Sequence, residues 1–476
     1  MNITQKLTKD TKMHFGKAQS SEADIKRTKA LNEMDITRRF AKFMVDTDFE
    51  DIPEKSVEMA KLGLMDWIAV TLIAKNEPLA NILNELDREL GGKKQSTIIG
   101  KGNMTSVLNA ALINGSVSHA LDYDDVNLHL VGHPTVPVVP AILALGEWKG
   151  ISGKDLLTSY ILGVEAEGRI SLGVRSTHYF SGWHATSTIG TFGAAIGSSK
   201  ILGLDLEKTV FAIGIAGTQA AGLRQVFGSM CKPFHAGKAA MNGLLAALLA
   251  EKGFTSSRLM LEGELGFSAV MASNPEPEKM LEDIGNPFVI DELIFKSHAS
   301  CFETHSAVDV ALGLQEKSKI SIDSIEHIDV AVSDLCIEVA RVTKHETGLE
   351  AKFSIPYCTA VALISGEVDM DKFSKDMITR NDYCDLAAKV SVKNNRSFST
   401  HQATISILTK DGKRYEHEAD TLEINKSFDY RRQVVEKKIK AIATSVLGQE
   451  KQKKLFDSIK EMEKIKNIKE IVSICF

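Results

Sequence analysis

Histidines and lysines recur beside glycine, proline or small residues in four short segments of this chain: HALDYDDVNLHLVGHPT (119–135), GWHATSTIG (182–190), CKPFHAGKAA (231–240) and IFKSHASCFETH (294–305). Imidazoles exchange protons near neutral pH, and ammonium groups attract carboxylates. A fold that gathers these segments makes a cationic pocket able to move protons, which suits a small polycarboxylate.

In the first segment, Asp122-Tyr123-Asp124-Asp125 is followed by His129 and His133-Pro134. A metal site is one reading, since two histidines stand four apart beside carboxylates. The aspartates also faintly resemble the magnesium-binding run of all-helical isoprenoid synthases, but no second acidic motif accompanies them. A loop of helix-capping aspartates is the plain structural reading. The reading adopted makes His133 a proton-transfer group oriented by the Asp122 carboxylate, with no metal. His184, after Gly182-Trp183 and before Ala185-Thr186-Ser187, stands at the entrance to a helix. Lys232, held extended before Pro233, is expected to point at a substrate carboxylate, with His235 and Lys238 as further substrate contacts. Lys296 precedes a helix containing His305 and reaches the pocket from its other side. Cys301 could line the pocket, but nothing marks it as a nucleophile.

Other chemistries lack support. Neither a glycine-rich phosphate loop nor Gly-x-Ser-x-Gly occurs, and none of the six cysteines forms a C-x-x-C pair or a spacing suited to zinc or an iron–sulfur centre. The net charge is −5, without a basic stripe, so nucleic acid is not an expected partner. No apolar run reaches the length of a membrane span. Scattered cysteines and the lack of a secretory leader predict reduced thiols and a cytoplasmic location.

The elements that must position these residues are mostly helices. At 476 residues the chain exceeds what one core usually serves. Residues 1–34 form a polar extension. From 35 to 288 the apolar period is helical, with runs near 105–120, 135–148, 153–170, 185–202, 206–222 and 236–252, several rich in Gly, Ala and Ser that let helices approach closely. Residues 289–427 read as an α+β domain, with strands at 326–334, 386–394 and 402–409, a hairpin at Asp411-Gly412, and helical pieces at 302–316 and 356–365. From 428 to 476 the helical period returns. The expected fold is mostly α: a large helical domain closed by C-terminal helices, with a smaller α+β lid.

Taken in order, the four segments resemble the MmgE/PrpD family, which includes 2-methylcitrate dehydratases, cis-aconitate decarboxylases and iminodisuccinate epimerases. NGSVSHALDYDD, HPTVPVVPAILALGE and EAKFSIPYCTAVAL (350–363) add to the likeness, which runs over about residues 35–470. The resemblance implies a homodimer, catalysis without metal or organic cofactor, and a pocket between the two domains lined by Asp122, His133, His184, Lys232 and Lys296. Two positions depart from the decarboxylase branch: Val126 stands where that branch has threonine, and an aliphatic or cysteine residue near 335–337 stands where it has tyrosine. The implied activity is a lyase reaction, dehydration or decarboxylation of a di- or tricarboxylate. An epimerase remains open, since it needs the same proton-transfer groups. A non-catalytic helical binding module is the other alternative; loss of the pocket histidines and lysines would mark it, and all four persist.

Overall fold

The computed structural model describes residues 33–399 and 401–476. The polar extension lies almost wholly outside them. The first half of the described chain is helical: α1 (Ile36–Asp46), α2 (Glu54–Ala74), α3 (Pro78–Leu90), α4 (Val107–Ser118), α5 (Thr135–Lys149), α6 (Gly153–Phe180), α7 (Gly190–Ile201), α8 (Leu206–Gly217) and α9 (Cys231–Glu251). A two-stranded ribbon, β1 (Ser96–Thr97) with β2 (Met104–Thr105), connects α3 to α4.

Small residues set the closest approaches. A Cβ on Gly237 of α9 would lie 2.0 Å from the Leu112 carbonyl oxygen of α4, and one on Gly115 would lie 2.8 Å from the Gly237 Cα. A Cβ on Gly243 would meet Ala194 Cβ on α7 at 2.5 Å. The α9 backbone therefore rests directly on α4 and α7, since any larger side chain at these glycines would hold the helices apart. This contact brings the first turn of α9, with Lys232, beside the segment that follows α4, with His119 and Asp122.

The second half mixes helix and strand. Helix α10 (Phe302–Ser318) leads into β3 (Ile325–Val332), and α11 (Ile355–Ser365) leads toward β4 (Val390–Asn394), β5 (Gln402–Thr409) and β6 (Arg414–Asp420). The sheet order is β4-β3-β5-β6; β3 is parallel to β4 and antiparallel to β5, which pairs antiparallel with β6. Alternation buries Ile328, Val330 and Val332 of β3 and Ala403, Ile405 and Ile407 of β5, and α10 packs against the sheet. The expected strand from 386 begins only at Val390, because Asn381–Ala387 is helical. Asp334–Val339 is a short helix that the alternation did not reveal.

Finally, α12 (Phe428–Leu447) and α13 (Gln449–Lys460) return to pack on α2. Lys438 of α12 and Asp66 of α2 form a buried ion pair at 2.6 Å. Among the described residues, no helix is long and apolar enough to cross a membrane.

Candidate active site

The segment between α4 and α5 is the centre of the site. Asp122 adopts a left-handed backbone conformation (φ 50°), and its side chain is buried. Buried lysines from four separate stretches hold this segment. Lys352 donates to the Leu121 carbonyl, Lys438 to the Tyr123 carbonyl at 2.9 Å, Lys232 to Asp122 Oδ1 at 2.7 Å, and Lys296 to Asp122 Oδ1 at 2.9 Å and to its carbonyl at 2.7 Å. Burial alone would raise the Asp122 pKa, but the Lys232 and Lys296 ammoniums outweigh it and hold the carboxyl well below its usual range. Burial lowers the pKa of Lys352 to about 8 despite the nearby Asp122 charge.

A cavity of about 270 Å³ opens beside this cluster, lined by Asp122, His133, His184, Lys232 and Lys296 together with apolar residues from both halves of the chain. The fold thus brings together five residues from all four segments. Lys232 is not in an extended stretch as its proline suggested. It sits in the first turn of α9, where Pro233 is tolerated because the earliest helical N–H groups have no intrahelical partner. His235 does not line the cavity; its Nδ1 lies 3.0 Å from His184 Nδ1, behind that ring. Lys238, a turn further along α9, also lies outside the lining. Cys301 lines the cavity, and burial raises its thiol pKa well above the usual value.

The orientation of His133 corrects the sequence reading. Its Nδ1 lies 2.9 Å from Asp124 Oδ2 and 2.9 Å from the Asp125 carbonyl, whereas Asp122 Oδ1 is 3.6 Å from Nε2. Asp124 therefore orients the ring, and Asp122 faces its working edge. A carbonyl and an ionised carboxylate only accept hydrogen bonds, so Nδ1 carries a proton, and in the neutral ring Nε2 is the nitrogen with the lone pair, on the edge that meets the cavity. Asp124 also accepts from His119 Nδ1 at 2.9 Å. Burial works to raise the Asp124 pKa, but the two imidazoles override it and keep the carboxyl well below its usual range. Burial, reinforced by Lys232, lowers the His119 pKa to about 4. His184, at the N-cap of a short helix (Ala185–Thr188), is also held well below 6.5, first by burial and then by Lys232 and the neighbouring imidazoles.

His119, Asp122, Asp124 and His133 could offer metal ligands, with one donor atom from each lying within 4.8 Å of the others. His129 is not among them, since its Nε2 pairs with Glu292 at 2.5 Å. Two ammonium groups already neutralise Asp122, and two imidazole N–H groups bond Asp124. This arrangement suits proton handling better than a dication, which the adjacent ammoniums would repel.

The sequence reading missed His119, Asp124, Lys352 and Lys438 as parts of this assembly. Asp124 and His119 lie in a motif already quoted, and their spacing from His133 gives no sign of which carboxylate meets which ring. Lys438 carries no signal at all, lying on a helix otherwise rich in solvated lysines.

Known proteins resemble this chain over most of its length. Residues 38–280 match the MmgE/PrpD N-terminal domain, and residues 298–464 match the MmgE/PrpD C-terminal domain. The chain is 26% identical to the cis-aconitate decarboxylase of Homo sapiens over 452 residues, covering 91% of this chain and 92% of that protein. It is 25% identical to the mouse (Mus musculus) cis-aconitate decarboxylase over 450 residues, with 91% of each chain covered. The cis-aconitate decarboxylase of Aspergillus terreus is 27% identical over 373 residues, covering 73% of this chain and 76% of that protein. With matched domains spanning most of its length and a cavity lined by residues of all four segments, this chain belongs to the MmgE/PrpD family.

Proposed function

We propose that this protein is a lyase that removes water or carbon dioxide from a small di- or tricarboxylic acid without a metal or organic cofactor. The relatives named cis-aconitate decarboxylase support the reaction class. The observation that carries the reading is the orientation of His133: its Nδ1–H is engaged by Asp124 and the Asp125 carbonyl, so its Nε2 is free to take a proton in the cavity.

In a dehydration, His133 takes the proton from the carbon next to a carboxylate, and that C–H electron pair becomes the new double bond. The C–O bond on the neighbouring carbon breaks, and His184 protonates the departing hydroxyl as water. His184 does this as the imidazolium: its Nδ1–H is donated to His235 Nδ1, and loss of its Nε2 proton to the hydroxyl returns the ring to the neutral form. In a decarboxylation, the electron pair of the breaking C–C bond is left on carbon, and a histidine delivers the proton that quenches it. Lys232 and Lys296 stabilise the negative charge that builds on the reacting carboxylate, most strongly where water is excluded. Residues 289–427 serve as a lid, contributing Lys296 to the cavity opposite the helical residues 35–288. A homodimer and a cytoplasmic location are part of the same reading.

Proton NMR in deuterated buffer tests it, with 2-methylcitrate, citrate, cis-aconitate and iminodisuccinate offered to wild type and to His133→Ala. An alkene product, or itaconate from cis-aconitate, that disappears in the variant supports the lyase. Deuterium uptake with no new product replaces it with an epimerase.

A further inference from the structure

The cavity wall facing the lysines is apolar, and its make-up narrows the substrate. Two small hydrophobic clusters, both separate from the main core, border the cavity. One is built on Tyr179, Val339 and Phe353, and the other on Val126, Ile294 and Phe302. Tyr179, Val339, Phe353, Val126 and Phe302 all line it, so the cavity runs between the two apolar walls. Toward its mouth stand Leu128 and Phe180, both substantially exposed.

The charge balance points the same way. Among the described residues, the lysines and carboxylates lining the cavity are Lys232, Lys296, Asp122 and Glu303. Both lysines bond Asp122, and Glu303 accepts from Cys301 Sγ at 2.9 Å. The two ammoniums and two carboxylates are thus already engaged within the lining. Lys232 and Lys296 are the two ammonium groups among the described lining residues, so a third carboxylate would meet Glu303 or an apolar wall.

We infer that the substrate is a dicarboxylate bearing an apolar arm of several carbons, its carboxylates beside the Lys232–Asp122–Lys296 cluster and its arm between the Val339 and Phe302 walls. This inference names the substrate class within the lyase reading and rests on it for the chemistry, but not for binding.

Calorimetric titration with succinate, methylsuccinate, propylsuccinate, pentylsuccinate and benzylsuccinate tests it, because these acids carry no hydroxyl to lose. Propane-1,2,3-tricarboxylate serves as the three-carboxylate comparison. Burying a methylene is expected to tighten binding about fourfold per carbon along the alkyl series. Val339→Asn and Phe302→Asn should flatten that gradient, each retaining the wild-type circular dichroism spectrum. Affinity independent of the arm, or tightest binding of the tricarboxylate, overturns the inference. Parallel NMR turnover assays with malate, alkylmalates, citrate and cis-aconitate separate the two ideas. Graded binding with no acid consumed sinks the lyase and leaves the apolar subsite. Turnover confined to citrate or cis-aconitate, with ungraded binding, sinks the subsite and leaves the lyase.

Discussion

The Asp124 carboxylate lies 2.9 Å from His133 Nδ1, on the edge of the ring away from the substrate cavity. That contact fixes the tautomer of the candidate base and supplies a countercharge for the imidazolium that forms when it takes a proton. Asp124→Asn replaces one acceptor oxygen by an NH₂ donor and removes the charge. We expect kcat to fall about 10²–10⁴-fold, the contribution typical of a positioned acid or base, with a smaller change in KM. Steady-state kinetics on the substrate identified by NMR checks this, with circular dichroism confirming the fold. A loss confined to KM would show that Asp124 does not act through the base.

Asp122 and its two lysines form a buried ionic triad, and such groups are sensitive to the loss of one member. Asp122→Asn leaves two buried ammoniums without their carboxylate. Breaking a buried pair by removing one partner costs about 3–5 kcal/mol, so the variant should unfold at markedly lower denaturant. Replacing Lys296 by methionine in the same background should restore part of that stability, which urea denaturation of the single and double variants measures.

His178 lends itself to a pH test away from the cavity. Its Nδ1 bonds the Met271 carbonyl at 2.9 Å, its Nε2 lies 2.7 Å from Thr188 Oγ1, and burial lowers its pKa from 6.5 to about 4. The unfolded chain therefore binds a proton that the native state refuses between these values. The contribution of neutral His178 is fully present above pH 6.5 and is lost as pH falls toward 4, by about 1.4 kcal/mol per pH unit. Urea midpoints of wild type and His178→Asn at pH 7.5, 6 and 5 should converge as pH falls. A difference independent of pH would refute the linkage.

Gly237 is where α9 rests on α4. Gly237→Ala drives a methyl group against the Leu112 carbonyl and the Ser116 side chain, which a hypothetical Cβ would approach to 2.0 and 2.2 Å. Overpacking of this kind typically costs about 1–3 kcal/mol. Because the same contact sets the position of Lys232, activity should fall beyond what the lost stability explains. Kinetics at a temperature where the variant is fully folded separates the two effects.

The sequence by itself determined the helical periods, the small-residue helix contacts, the strand alternation of β3 and β5, and the identity of five residues that line the cavity. Those features are local: a helical face needs only its own spacing, and a histidine beside glycine or proline marks itself. Only the tertiary structure decided which carboxylate serves which cation. Asp122 and Asp124 are two residues apart and alike in composition, yet the left-handed turn at Asp122 sends one side chain to Lys232 and Lys296 and the other to His119 and His133. Lys438 reaches the same loop from more than three hundred residues away, and His235 turns from the cavity to the back of His184. Long-range pairings of this kind depend on where α9 and α12 dock against the helices before them, and no spacing within a segment encodes that.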